Sequence, residues 1–251
     1  VVHMDTVPGD VPIKVTKDRI YGRGAMDNKG NLAGAIMAGE KLGNIGLIFT
    51  VGEEDDFIGA KKIRIKKGNF IVMEGTNMRI MRGQRGLISA DIIASGKQMH
   101  SSLKFKKTES ATYNLLRALD VFYAKNWTAF NAIIIEGGEA DNVVAKKARA
   151  KILVRPEDVS EYGKILRFLE KSDLKNVSVE IKDKIEPCSS NLVKSGGIVP
   201  YFSEMAFFKN SLLFGAGNII QAHSENEYVE RKELNQLEAE LIKLVGDIER
   251  R

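Results

Sequence analysis

The first eighty residues alternate short apolar runs with glycine-rich turns and one helical pattern, which predicts strands joined by helices in an α/β sheet. Three runs stand out: Val1–Val2, GLIFT (residues 46–50) and FIVM (residues 70–73), each with the look of a parallel strand buried on both faces. Each is followed at once by histidine or acidic residues, and active sites of open α/β sheets lie beyond the carboxyl ends of their strands. Residues 30–42, GNLAGAIMAGEKL, repeat small and apolar residues at helical spacing and suit a helix packed closely on that sheet.

A different grammar begins near Gly86. It reads strand (87–95), helix (111–124), strand (129–135), strand (148–154), helix (159–169), strand (177–181), the split βαβ plan of an antiparallel sheet with both helices on one face. Boundaries near residues 85 and 186 give three segments: 1–85, 86–186 and 187–251. After Pro187 comes a serine- and glycine-rich loop, then VPYFSEMAFF, the strand SLLFGAG, the segment AHSENEYVE, and a helix from Arg231 to the end. If this last segment rejoins the first sheet, the middle one is an insertion and His223 returns beside His3.

A chain of 251 residues with 43% hydrophobic content can bury one large core or two medium ones. No apolar stretch approaches the ~20 residues that cross a bilayer. The opening VVHMD reads as the end of a strand, so the sequence is expected to begin inside a fold. One cysteine, Cys188, excludes an internal disulfide and a thiolate metal cluster, and fits a reducing, cytoplasmic compartment. The net charge of +5 is carried largely by pairs such as Lys61–Lys62, Lys66–Lys67 and Lys106–Lys107, read first as solvated faces and second as attraction for an acidic partner. Nucleic acid would call for interleaved aromatics or a dense arginine patch, and the sequence has neither.

The chemistry gathers at strand ends. His3 and Asp5 stand at i, i+2, the same face of an extended strand, so His3 can ligate a metal while Asp5 accepts its other ring proton. Asp27, in YGRGAMDNKG, is either a helix cap or a bridging carboxylate. The glycines there form no phosphate loop. VGEEDD places four carboxylates in a row after an apolar strand, which as an exposed turn is ordinary and as a site demands a cation. Under the second reading Glu54 binds the ion and Glu53 takes a proton from the attacking water. Glu74 after FIVM and His223 after GAGNIIQA complete an N/O ligand set suited to two divalent metals of the zinc class.

HMDTVPG, YGRGAMDNKG, FTVGEEDDFIGA, MEGTN, GKQMHSS, EGGEADNVV and FGAGNIIQAHSENEYV occur in this order. Together the chain resembles the metallohydrolase family of acetylornithine deacetylase, succinyl-diaminopimelate desuccinylase, aminoacylase and carboxypeptidase G2. The resemblance implies a zinc-exopeptidase-like α/β catalytic domain with an inserted ferredoxin-like α+β lid that dimerises. It implies two zinc ions per subunit, with cobalt as an alternative: His3 and Glu74 on one, Glu54 and His223 on the other, Asp27 bridging. Asp5 would orient His3, Glu53 would be the general acid/base, and His100 would reach across a homodimer to the oxyanion. Asn142 and Arg155 match positions that hold the substrate. By the residues alone His100 is equally a loop residue and Arg155 a surface strand end.

Two departures stand out. Members usually read Glu-Pro-Thr where this chain has Glu74-Gly75-Thr76, and a proline is common where Leu103 follows HSS. Members also carry a longer stretch before HMDTV, so the first helices and edge strands of the catalytic domain are expected to precede Val1. The implied substrate is a small N-acyl amino acid, acetylornithine first. Succinyl-diaminopimelate and lysine or ornithine carried on an acidic protein come next, with dipeptidase or aminopeptidase chemistry as an alternative in the family. A metal-binding protein without catalysis is the reading from another class, and the intact Glu53 and full ligand set argue against it.

Overall fold

The computed structural model describes residues 1–65 and 67–250; Lys66 of the Lys66–Lys67 pair and Arg251 at the end of the expected last helix lie outside the described residues. The chain divides into two compact units, Val1–Gln84 with Ser189–Arg251, and Arg85–Cys188.

The first unit is built on a mainly parallel sheet. Ser211–Phe214 is at its heart, parallel to Phe70–Met73 on one side and bridged to Met81–Gln84 on the other. All four of its residues are buried, which is why the SLLF run is unbroken by polar positions. Val1 hydrogen-bonds on both sides of Val72, and Val2–His3 pairs in parallel with Phe49–Thr50. Of the GLIFT run only Phe49–Thr50 forms a strand, and Phe49 is 41% exposed because this strand is paired on one side only. The expectation of burial on both faces fails there, whereas Phe70–Met73 forms a parallel strand as read, with Val72 and Met73 buried and Phe70 and Ile71 half-buried.

Helix Gly30–Leu42 packs against the final helix Arg231–Glu249. The small residues of the first helix serve this contact: a Cβ on Gly34 would lie 2.3 Å from Leu237 Cδ2. The core beneath them comprises Met26, Ala35, Ala38, Met73, Leu212, Phe214, Leu237, Leu241 and Leu244.

The second unit runs strand Leu87–Ser95, helix Ala111–Tyr123, strands Phe130–Gly137 and Lys147–Val154, helix Val159–Lys171 and strand Val177–Ile185. The spatial order of its four antiparallel strands puts Leu87–Ser95 and Lys147–Val154 in the centre, with Val177–Ile185 and Phe130–Gly137 at the edges. Alternation sets the core: Ile88, Ala90, Ile92 and Ala94 are wholly buried against Leu115, Phe122, Ile165 and Leu169 of the helices. Ser110 and Asp158 cap the two helices through Tyr113 N and Glu161 N. Among the described residues no helix is long and apolar enough to cross a membrane.

Candidate metal centre

Apolar strands of the first unit deliver candidate side chains from their carboxyl ends. His3 ends its own strand beside Thr50, Glu53 and Glu54 lie in the turn after Thr50, and Glu74 follows Met73 directly. His223 comes from the turn that follows Ser211–Phe214 and takes a left-handed φ of 61°, a conformation uncommon for a residue with a side chain. Asp27 comes from the loop leading into Gly30–Leu42.

These side chains converge. His3 Nε2 is 3.0 Å from Asp27 Oδ1, while His223 Nε2 is 3.5 Å from Asp27 Oδ2 and 2.9 Å from Glu54 Oε2. Asp27 thus stands between two imidazoles. His3, Asp27 and Glu74 present ligand atoms within 4.8 Å of one another, as do Asp27, Glu54 and His223, and as do His3, Glu53 and Glu54. Three overlapping triads share His3, Asp27 and Glu54, and each could hold a metal ion.

Asp5 behaves differently from the sequence expectation. The i, i+2 spacing does bring Asp5 beside the His3 ring, but the ring bonds the Asp5 backbone rather than its carboxylate. His3 Nδ1 lies 3.0 Å from the Asp5 backbone carbonyl and 3.8 Å from its carboxylate. The carboxylate instead accepts from Glu54 N at 3.2 Å and so ties the acidic turn to the histidine segment.

Electrostatics follow from burial. Burial alone would lower His3, but the Asp27 hydrogen bond and the charges of Glu74, Asp27 and Glu53 push it up to about 10. Burial raises Asp27, yet hydrogen bonds from His223 and His3 hold it at about 2. Burial pushes Glu53 up to about 8; His3 opposes this, and Asp27 and Glu54 add to it. Burial, with Glu53 and Asp27, lifts Glu74 well above the usual carboxylate range. Four carboxylates crowded together and partly protonated are a centre that lacks positive charge. Glu54 Oε1 is in addition buried with no hydrogen-bond partner among the described residues. Such an atom in such a set fits a divalent cation.

Several residues that hold this centre are not among the site candidates read from the sequence. Glu227 is 1% exposed and accepts from Gly24 N, Met26 N, Asp27 N and the Arg23 guanidinium at 2.8–3.1 Å. Met26, also buried, wedges between two glycines: a Cβ on Gly217 would lie 2.1 Å from Met26 Cγ and one on Gly75 2.6 Å from its sulfur. The glycine at position 75, a departure from the family pattern, is therefore matched to Met26. Glu204, 1% exposed, accepts from Thr50 Oγ1 at 2.8 Å behind the acidic turn.

The remaining sequence candidates belong to the second unit. The pairing of Met99–His100 with Val143–Val144 brings His100 beside Asn142, whose carbonyl accepts from Ser101 N. His100 is exposed, with Nδ1 2.8 Å from Ser102 Oγ. Arg155 follows the far end of strand Lys147–Val154, eight residues or roughly 25 Å of extended chain away. The structure brings His100 and Asn142 together and leaves Arg155 apart from them within the chain.

Residues 1–246 match the peptidase family M20/M25/M40. A peptidase M20 domain-containing protein of Schizosaccharomyces pombe is 30% identical over 254 residues, covering 90% of this chain and 63% of that protein. A LysW-lysine/LysW-ornithine hydrolase of Sulfurisphaera tokodaii is 26% identical over 265 residues, 92% of this chain and 75% of that protein. One of the same description from Saccharolobus islandicus is 33% identical over 207 residues, 76% of this chain and 54% of that protein. Among solved structures, a tripeptidase of Staphylococcus aureus superposes with a TM-score of 0.79 at 20% identity, covering 100% of this chain and 80% of that one. The aminopeptidase PepT of Bacillus cereus gives 0.75 at 17% identity, covering 99% and 79%.

Proposed function

Because the chain belongs to the peptidase family M20/M25/M40, we propose that it hydrolyses the amide bond of an N-acylated basic amino acid at a two-metal centre. The observation that carries this reading is the cluster of His3, Asp27, Glu54, Glu74 and His223 with Glu53 in its midst. His3 and Glu74 would hold one ion, Glu54 and His223 the other, and Asp27 both. Bound there, zinc, or cobalt in its place, would polarise the amide carbonyl and acidify the attacking water.

The chain's own residues do the rest. Glu53 accepts the proton of the attacking water and returns it to the departing nitrogen. Asp5 and Thr50 fix the turn that carries Glu53 and Glu54, one through Glu54 N and the other through Glu204. His100, Asn142 and Arg155 are assigned to the oxyanion and the substrate's carboxylate.

Loading of the centre is coupled to protons. In the metal-free chain His3, at about 10, and Glu53, at about 8, carry protons at neutral pH, and a metal requires its histidine ligand deprotonated. Zinc binding therefore releases protons, and its affinity rises as pH increases from ~6 toward ~8. Calorimetry in buffers of different ionisation enthalpy reads the release; heats that do not depend on the buffer refute it.

Acetylornithine is the first substrate considered. The LysW-lysine/LysW-ornithine hydrolases among the relatives, with the net charge of +5, favour as second reading an ornithine or lysine carried on an acidic protein. The protein loaded with zinc is assayed against N-acetylornithine, N-acetyllysine, N-succinyl-diaminopimelate, N-acetylmethionine, dipeptides and carrier-linked ornithine. Release of ornithine or lysine, lost on chelation, supports the reading. Cleavage of dipeptides alone moves the protein to the peptidases, and silence with two metals bound removes catalysis.

A homodimer completes the proposal. Phe130–Gly137 is an eight-residue edge strand with Ile133, Ile134 and Ile135 exposed, a surface that native proteins seldom leave uncovered. If His100 acts in the partner's site, mixing inactive His100→Ala and Glu53→Gln chains restores activity. No recovery in mixed dimers overturns that assignment.

A further inference from the structure

The centre is rich in acceptors and poor in donors. Asp27, Glu53, Glu54 and Glu74 can only accept when ionised, and the imidazoles of His3 and His223 are the nitrogen ligands of the proposed metals. Other polar side chains nearby donate elsewhere: Thr50 to Glu204, Asn28 with one of its two amide hydrogens to the Met73 carbonyl, Ser203 to Gln84. A tetrahedral oxyanion formed here is stabilised further by any fixed donor in its surroundings.

Tyr201 is such a group. Its hydroxyl lies 3.5 Å from the carbonyl of Gly75, the residue after Glu74. That distance is well beyond the ~2.8 Å of a good O–H···O bond, so the hydroxyl hydrogen has no strong acceptor there. Burial, followed by the charges of Glu74, Asp27 and Glu53, raises the phenol, so it stays protonated and can only donate or accept as a neutral group.

The segment that presents it is rigid. Phe202 stacks edge-on with Phe57 at 5.0 Å and Phe207 closes the cluster from the other side. Ser203 makes reciprocal hydrogen bonds with Gln84 through N, Oγ and its carbonyl. Glu204 anchors to Thr50, next in register to His3. Three successive residues after Tyr201 are thus pinned to the strands and turn that carry the site, which is how a first contact with a reacting atom is held in place.

We propose that Tyr201 is a catalytic hydrogen-bond donor, its hydroxyl stabilising the oxyanion that develops on the scissile carbonyl. The assignment rests on the amide-hydrolase reading. It gives the unit that carries the metal ligands a donor of its own, separate from His100.

The test is Tyr201→Phe, which keeps the ring and removes the hydroxyl. Expected are a fall in kcat of about 10²-fold, a KM within about threefold, unchanged metal content and unchanged Tm. A second readout needs no turnover: binding of the phosphinate analogue of N-acetylornithine, tetrahedral at phosphorus, to Glu53→Gln chains with and without Tyr201→Phe. Its affinity falls by about the same factor, whereas the affinity for N-acetylornithine itself stays within about threefold. An active wild type with an equally active Tyr201→Phe overturns the role of Tyr201 alone, as does unchanged phosphinate binding. Loss of metal together with activity makes Tyr201 a positioning residue and overturns it as donor. A wild type that hydrolyses nothing and ignores the phosphinate overturns both readings.

Discussion

Replacing Glu53 with glutamine lowers kcat by about 10²–10⁴-fold and leaves the metal content of the chain unchanged. The amide has the shape of the carboxylate but cannot take a proton from water, and two proton transfers, to Glu53 and then from it, are lost together. The ligand atoms of His3, Asp27, Glu54, Glu74 and His223 make two triads without Glu53, so metal retention follows from geometry. Glu54→Gln is the contrasting variant: it weakens the Asp27–Glu54–His223 group and is expected to lower both metal content and rate. Metal analysis beside steady-state kinetics separates the two residues. Glu53→Gln keeping more than about a tenth of wild-type turnover would remove Glu53 from the proton transfers, since ~1.4 kcal/mol is all that a tenfold effect represents.

What the sequence reveals of this site depends on how local each signal is. His3, Glu54 and Glu74 stand out as candidates because an apolar strand ends and a ligand type begins within one to four residues. The strand supplies both the signal and the geometry. Asp5 shows the limit of that logic: the spacing places it beside the His3 ring but does not say which of its oxygens the ring bonds. Phe49 shows another limit, since a run of apolar residues does not say whether its strand is central or at an edge. The second unit is read almost element by element because its alternation of buried Ile88, Ala90, Ile92 and Ala94 is unbroken. Glu204 and Tyr201 lie in VPYFSEMAFF, whose aromatic content announces only a core. Their partners, Thr50 and Gly75, are more than a hundred residues away. No local pattern encodes such a contact.

Glu227 is the strongest case of that kind, and its loss is expected to be the most damaging to the fold of the site. In NEYVE it is one acid among several, yet the fold buries it and surrounds it with donors from residues 23–27. Oε1 takes Met26 N and Asp27 N; Oε2 takes Gly24 N and the Arg23 guanidinium. Because His223 lies four residues before Glu227 and Asp27 is among the residues it holds, this one side chain fixes the two halves of the centre to each other. Glu227→Ala strands three backbone N–H groups and takes the carboxylate from a largely buried guanidinium, which keeps the Gly9 and Ser224 carbonyls. Leaving one partner of a buried ion pair alone costs about 3–5 kcal/mol, and each unsatisfied donor about 1–3 kcal/mol more where water cannot reach it. A fall in unfolding free energy of at least ~3 kcal/mol is therefore expected, read by denaturant titration of the metal-free chain. Zinc affinity falls with it, because Asp27 loses the anchor on its own amide. Glu227→Gln does not rescue, since its amide nitrogen presents hydrogens where the loop presents hydrogens. Stability within about 1 kcal/mol of wild type in Glu227→Ala would mean that water or a shifted loop satisfies the four donors, and that Asp27 is held in place by its two histidines rather than by its backbone.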